Sequence, residues 1–272
     1  IDTSSATRVD SGWKNCSGLT TFPLINTSSV TNFNQSWSGC SGLTAFPTID
    51  TSSGTNFQST WLGCTGLTTF PLINTSSGTN FTGAWLDCSG LTIFPFIDTS
   101  SSTSFNETWQ GCSGITTFPL IDTSSGTNFN NAWNGCSGLT AFPSVDFSSA
   151  TTFNNAWRNC SGITTFPSVD FSSATTFNNA WRNCTLLSTY PANQFDTTGT
   201  LASNGLQSSW IGCALTSQSI ENILTSLDTN GQQNIQLGLL SGQNANASTW
   251  STDAIIAYRN LINKSWTINQ NG

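Results

Sequence analysis

Three residue types in this chain carry chemistry, and each recurs on one ruler. Cys16, Cys40, Cys64, Cys88, Cys112, Cys136, Cys160 and Cys184 stand 24 residues apart, and Cys213 follows after 29. Thiols support disulfides, zinc binding or nucleophilic attack. Stacked equivalents about 4.8 Å apart lie within disulfide range, but parallel side chains point the same way rather than at each other. The count of nine is odd, and no histidine exists to complete a mixed zinc site. A buried thiol ladder is the favoured reading, with disulfides and a metal site as the alternatives.

The second column is acidic: Asp2, Asn26, Asp50, Asn74, Asp98, Asp122, Asp146, Asp170 and Asp196. Carboxylates in a row suit calcium. They also suit a turn in which Asp or Asn accepts from N–H groups two residues on, and that device tolerates Asn at 26 and 74. The turn is favoured and no metal is assigned. The third column is aromatic, with a tryptophan three residues before each cysteine from Trp13 to Trp181, and Trp210 before Cys213. Such a ladder could stack on sugar rings, but a residue held in every repeat is expected in the core, its indole N–H bonded to a neighbouring carbonyl.

One polar column is read as a surface: Thr20, Thr44, Thr68, Thr92, Thr116, Thr140 and Thr164, beside Thr21, Thr69, Thr117 and Thr165. On a strand these face outward, and an uncharged array of hydroxyls and methyls suits glycan, another sheet or ice. The plainer alternative is that threonine favours strands. Catalysis has little support. Without histidine the usual nucleophile–base pairs are missing, and carboxylates spread one per repeat supply no differentiated acid and base.

The elements that position these columns follow from the repeat. A fixed period of 20–50 residues marks a solenoid in which each repeat is one coil. Residues 144–160 and 168–184 are identical, SVDFSSATTFNNAWRNC, which reads as a duplication within the array. In residues 16–40, Leu19 and Phe22 have the spacing of a short inward-facing strand, and Pro23 ends it because proline gives no N–H to a ladder. Phe33 and Trp37 are four apart, so the opposite wall is expected to be a helical or 3₁₀ turn. Stacked strands then form one narrow parallel sheet, and nine rungs make a body about 45 Å long.

The string L-x-x-F-P-x-I-D-T-S-S-x-T-N-F-x-x-A-W-x-x-C-x-x-L resembles the BspA-like leucine-rich repeats of bacterial, phage and protist surface proteins. It is most similar to their D-T-S-x-V-T-N-M-x-x-M-F-x-x-C branch, with aromatic residues such as Phe33 and Trp37 in place of that branch's Met and Phe columns. The resemblance covers residues 1–213. It implies a right-handed leucine-rich-repeat solenoid, extracellular exposure at a cell surface or virion, and adhesion or receptor binding. It implies no enzyme and no cofactor.

Residues 214–272 change character. Ile220, Ile223, Leu224 and Leu227 fall at helical spacing, Ile235, Leu237 and Leu239 alternate as a strand, and Ile255, Tyr258, Leu261 and Ile262 form a second helical stripe. Ser251, Thr252 and Asp253 open that helix, and Trp266 with Ile268 suggests a last strand. The segment is expected to be an α/β C-terminal cap of two strand–helix coils.

Charge narrows the partners. Only 7% of residues are charged, the net charge is -7, and the six basic residues are scattered, so nucleic acid is not expected. No run of 18 apolar residues argues for a membrane span. Ten N-x-S/T sequons, Asn26 and Asn74 among them, allow glycosylation without showing it. The chain begins at Ile1 without Met, which reads as a mature or trimmed product. The leading expectation is a non-catalytic recognition or adhesion module that binds a glycan or protein receptor. The alternative is a subunit of an extracellular filament or fibre, self-associating through an open first rung at Val9, Trp13, Leu19 and Phe22.

Overall fold

The computed structural model describes residues 3–239 and 242–269, so Asp2 lies outside the described residues. Parallel bridges join residues one repeat apart. Arg8, Asn32, Asn56, Asn80, Ser104, Asn128, Thr152 and Thr176 form an unbroken series. A second series on the L-x-x-F segment is interrupted: Thr21 to Ala45, Thr69 through Ile93 and Thr117 to Ala141, and Thr165 to Thr189. The chain therefore returns onto itself every 24 residues, and each coil lies on the next.

Two details differ from the sequence expectation. Among the described residues before Ser217, no helix and no strand of three or more residues forms. The wall carrying Phe33 and Trp37 is a run of overlapping turns, in which Ser36, Ser38 and Cys40 N–H groups bond back to the carbonyls of Phe33, Gln35 and Trp37 at 3.1–3.2 Å. The reason lies in the backbone. Gln35 has φ 57° and Gly39 has φ 77°, and their equivalents in every coil are left-handed too, which a right-handed helix cannot accommodate. The second detail is that the more regular ladder runs on this wall rather than on L-x-x-F. Phe33, Gln35, Trp37 and Gly39 donate to Asn56, Gln58, Thr60 and Leu62 in the next coil at 2.7–3.0 Å. On the other wall, Thr44, Thr68, Thr92, Thr116, Thr140 and Thr164 reach the previous coil only at 3.2–3.4 Å, and the proline that follows removes a donor.

Between the walls sits an aromatic core. The indoles from Trp37 to Trp210 are fully buried. From Trp13 to Trp210 they stack in parallel, centroids 5.1–6.2 Å apart. Phe46 stands edge-on between Trp37 and Trp61 at 4.7 and 5.4 Å, and the same contact recurs in later coils. Coils approach closely beside the cysteines. A Cβ on Gly66 would lie 2.6 Å from the Ser41 carbonyl oxygen, so only glycine fits there without a shift.

After Cys213 the period lengthens to 31 residues, seen in the bridge from Leu206 to Leu237 and the pairing of Leu237 with Ile268. The extra residues hold a helix in each coil. Helix α1 (Ser217–Asn230) is capped by the Thr216 side chain and ends at Gly231 with φ 80°. It buries Ile220, Ile223, Leu224 and Leu227. Its Ser219 and Ser226 hydroxyls accept from the N–H groups of Tyr190 and Phe195. Strand β1 (Gln236–Gly238) lies parallel to β2 (Thr267–Asn269). Helix α2 (Thr252–Asn263), with Ser251 as its N-cap, packs on α1, and Lys264 with Asn260 holds Asp228 at 2.6–2.8 Å.

Truncating a ring in the middle of this stack tests its weight. Trp109→Ala is expected to cost about 3–5 kcal/mol as a core large-to-small change. In hydrogen exchange, amides of residues 85–133 should lose protection before those of α1 and α2, because each coil contacts only its neighbours. A midpoint within a degree of the parent would place the ring outside the core.

Candidate functional site

The predicted threonine column is exposed at every position, Thr20, Thr44, Thr68, Thr92, Thr116, Thr140 and Thr164. It occupies an extended segment in which Phe22, Phe46 and their equivalents turn inward. Alternate hydroxyls are tied to the coil before: Thr44, Thr92 and Thr140 donate to the carbonyls of Thr20, Thr68 and Thr116 at 3.3 Å. Those oxygens remain acceptors toward solvent or a ligand.

A second threonine column lies in the polar turn that follows Ile25 and its equivalents. Thr7, Thr31, Thr55, Thr79, Thr103, Thr127 and Thr151 are exposed, and Thr175 is half-buried. Hydroxyls at 31, 55, 79, 127, 151 and 175 donate to the carbonyl one coil earlier at 3.1–3.3 Å. The signal was present, since threonine stands at each of these eight positions without a break, whereas the predicted column ends in Ser188. Leu24, Leu72, Phe96 and Leu120, each directly after a proline, are among the most exposed large apolar side chains.

The carboxylate column forms turns. Asp50 Oδ1 accepts from the Ser52 N–H at 3.0 Å and its hydroxyl at 2.7 Å, and Asn26, Asn74, Asp98 and Asp122 repeat the arrangement. The Ser52 and Ser124 hydroxyls, and then their amides, hold the Asp50 and Asp122 carboxyls below the usual range. Among the described residues, no group of three or more His, Cys, Asp or Glu is placed to hold a metal ion. No described helix is long and apolar enough to cross a membrane.

Eight thiols are buried and Cys16 is exposed, all of them free. From Cys40 to Cys213 each Sγ donates to the tryptophan carbonyl of the preceding coil at 3.0–3.1 Å. That carbonyl also accepts the cysteine N–H of its own coil, as Trp37 does from Cys40 at 3.1 Å. Both lone pairs are thus engaged, and here the sequence expectation for the indoles fails. The Nε1 groups of Trp37, Trp61, Trp85, Trp109, Trp133, Trp157, Trp181 and Trp210 are buried without a hydrogen-bond partner. Trp250 and Trp266, in the last coils, do find carbonyls, those of Ala245 and Gln232.

The residues predicted at the open rung divide. Val9, Trp13 and Leu19 are half-buried, while Phe22 is buried between the rings of Trp13 and Trp37 at 4.7 and 5.1 Å. Comparison with protein-family models finds no match for this chain, and neither does comparison with curated proteins or with solved structures.

Two measurements follow from the thiol ladder. In native protein at neutral pH a thiol reagent is expected to label Cys16 alone, and all nine cysteines once denaturant is added. Fast labelling of several native thiols would contradict the ladder. Burial also raises the folded-state thiols, to about 12 for Cys64, Cys136 and Cys213, against an ordinary 9.0. Their contribution is therefore fully present below pH 9 and lost as pH rises toward 12, while the unfolded chain ionises first. Each such thiol removes about 1.4 kcal/mol per pH unit in that window. Urea midpoints should be level from pH 7 to 8 and fall steeply above 9, and a flat profile would argue against buried thiols.

Proposed function

We propose that this chain is a non-catalytic extracellular recognition or adhesion module. In this reading it is a solenoid of the BspA-like type, displayed on a cell surface or as a virion fibre, whose uncharged wall contacts a glycan or protein receptor. The wall itself carries the reading. From residues 17–25 to their equivalents at 161–169, seven successive coils place no Asp, Glu, Lys or Arg in this segment. Its threonines are exposed in each of them. A surface of hydroxyls and uncharged apolar groups, Leu24, Leu72 and Phe96 among them, loses little on desolvation compared with a charged one, and its threonines present a repeating set of acceptors to a repeating ligand.

Thr68→Arg and Thr116→Arg separate the wall from the rest of the molecule. Both positions are exposed, so the thermal midpoint should stay unchanged. Binding to receptor-bearing cells or to an arrayed glycan should fall about tenfold or more, equal to about 1.4 kcal/mol. Binding unchanged in both variants would remove the wall from the contact.

A further inference from the structure

Eight large apolar side chains are strongly exposed among the described residues, and six of them fall in two places. Leu24, Leu72, Phe96 and Leu120 share the column after the proline, at 74, 66, 63 and 59% exposure. Thr48 interrupts this column and Ser144 ends it, so its continuous part is Leu72, Phe96 and Leu120 on three successive coils. Asp98 and Asp122 are exposed two residues beyond Phe96 and Leu120. The residues between them, Ile97 and Ile121, are buried, so Phe96 with Asp98 and Leu120 with Asp122 face outward together. The column is therefore an apolar strip with a row of carboxylates along one edge.

The second place is the outer face of α2. Ile256 and Ile262 are 50 and 42% exposed, and Arg259, midway between them, is exposed too. At 3.6 residues per turn, Ile256 and Ile262 lie about 60° to either side of Arg259, so the three share one face about 120° wide with the arginine at its centre. The ion pairs among the described residues are Arg8 with Asp10 and Lys264 with Asp228, so Arg259, Asp98 and Asp122 have no opposite charge bound to them.

We propose that α2 of a second copy docks on the Leu72–Phe96–Leu120 strip, with Arg259 reaching Asp98 and Asp122. The dimensions agree. Ile256 and Ile262 are six residues apart, about 9 Å along a helix axis. Leu72 and Leu120 are two coils apart, about 9.6 Å along the stack. An extended strand fits less well, because two steps along one of its faces span about 13 Å. Arg259 then sits over the middle coil, above the Phe96 ring and beside the carboxylate edge, where a guanidinium is attracted by both. The two surfaces lie on different parts of the chain, so the contact is head-to-tail and continues into open assemblies instead of closing as a symmetric pair.

Sedimentation velocity on the full chain over a concentration series tests this. The parent chain should form species beyond a dimer, while Phe96→Asp and Ile256→Asp should each stay monomeric with unchanged circular dichroism. A one-to-one mixture of those two variants should form a dimer and nothing larger, because only one intact strip and one intact helix remain. Arg259→Glu should weaken association about tenfold, and adding Asp98→Lys with Asp122→Lys should restore it. Leu120→Lys serves as a second strip variant if Phe96→Asp misfolds. A parent chain that stays monomeric throughout the series overturns the proposal. So does assembly that survives both single variants, which would point to another face such as the coil around Trp13. A mixture that forms no dimer overturns it as well.

Discussion

The interaction on which everything else depends is the backbone ladder of the turn wall. Within one coil, alternate N–H groups bond backward and forward: Ser36, Ser38 and Cys40 close local turns, while Phe33, Gln35, Trp37 and Gly39 donate to the next coil. That alternation requires two left-handed residues four positions apart in every coil. Glycine meets the need at 39, 63, 83, 111, 135 and 212, but Gln35, Ser59 and Glu107 meet it with a side chain in place. A left-handed non-glycine residue costs about 1–2 kcal/mol. It persists here because four inter-coil hydrogen bonds, each contributing about 0.5–1.5 kcal/mol net, form only in this geometry.

Once that ladder fixes the register, the side-chain columns have definite tasks. Buried Thr27 donates to the Asp50 carbonyl at 2.5 Å, and Cys40 donates to Trp13 at 3.0 Å, so hydroxyls and thiols tie one coil to the next. The indoles are the exception. A buried donor without a partner costs about 1–3 kcal/mol. Trp37, however, makes ring contacts with Trp13, Phe22, Phe33, Phe46 and Trp61, and aromatic pairs contribute about 0.5–1.5 kcal/mol each beyond the area they bury. Even with each contact shared between two residues, the rings offset the unmade hydrogen bond.

What the sequence disclosed divides along the same line. Burial of the cysteine, tryptophan and phenylalanine columns is a matter of periodicity, and periodicity is visible in the letters. The Asp–Thr–Ser–Ser turn was legible for a similar reason, because its hydrogen bonds span only two residues. The path of the turn wall was not. Spacing of four between Phe33 and Trp37 fits a helical turn and fits this run of turns equally well. The discriminating signal lay in the column Asn15, Gly39, Gly63, Asp87, Gly111, Gly135, Asn159, Asn183 and Gly212, in which Gly, Asn and Asp alternate as they do where φ is positive. The exposed column after the proline stayed hidden because its residues, Leu24, Thr48, Leu72, Phe96, Leu120 and Ser144, share neither polarity nor size. Only burial shows that Leu72 and Ile73, adjacent in sequence, face opposite ways.

The duplicated coils show why such a stack tolerates copying. A copied coil brings both the acceptors its predecessor needs and the donors that reach its successor, so the ladder closes without adjustment elsewhere. Side-chain columns, by contrast, change in pairs. In residues 144–184, Phe147 and Phe171 replace the threonine that elsewhere bonds the next coil, and Ala150 and Ala174 stand where Gly54, Gly78 and Gly126 do. The lost hydroxyl contact is exchanged for rings: Phe147 meets Phe129 and Phe153 edge-on at 4.9 and 5.0 Å and lies parallel to Phe171 at 5.9 Å. Phe195 continues that row at 6.2 Å from Phe171. A single phenylalanine in the threonine column would still meet the rings of the Phe129 column edge-on but would have no parallel ring in its own column, so the conversion from hydroxyl to ring is completed over consecutive coils. An exact duplication is the simplest change that carries out such a conversion in one step.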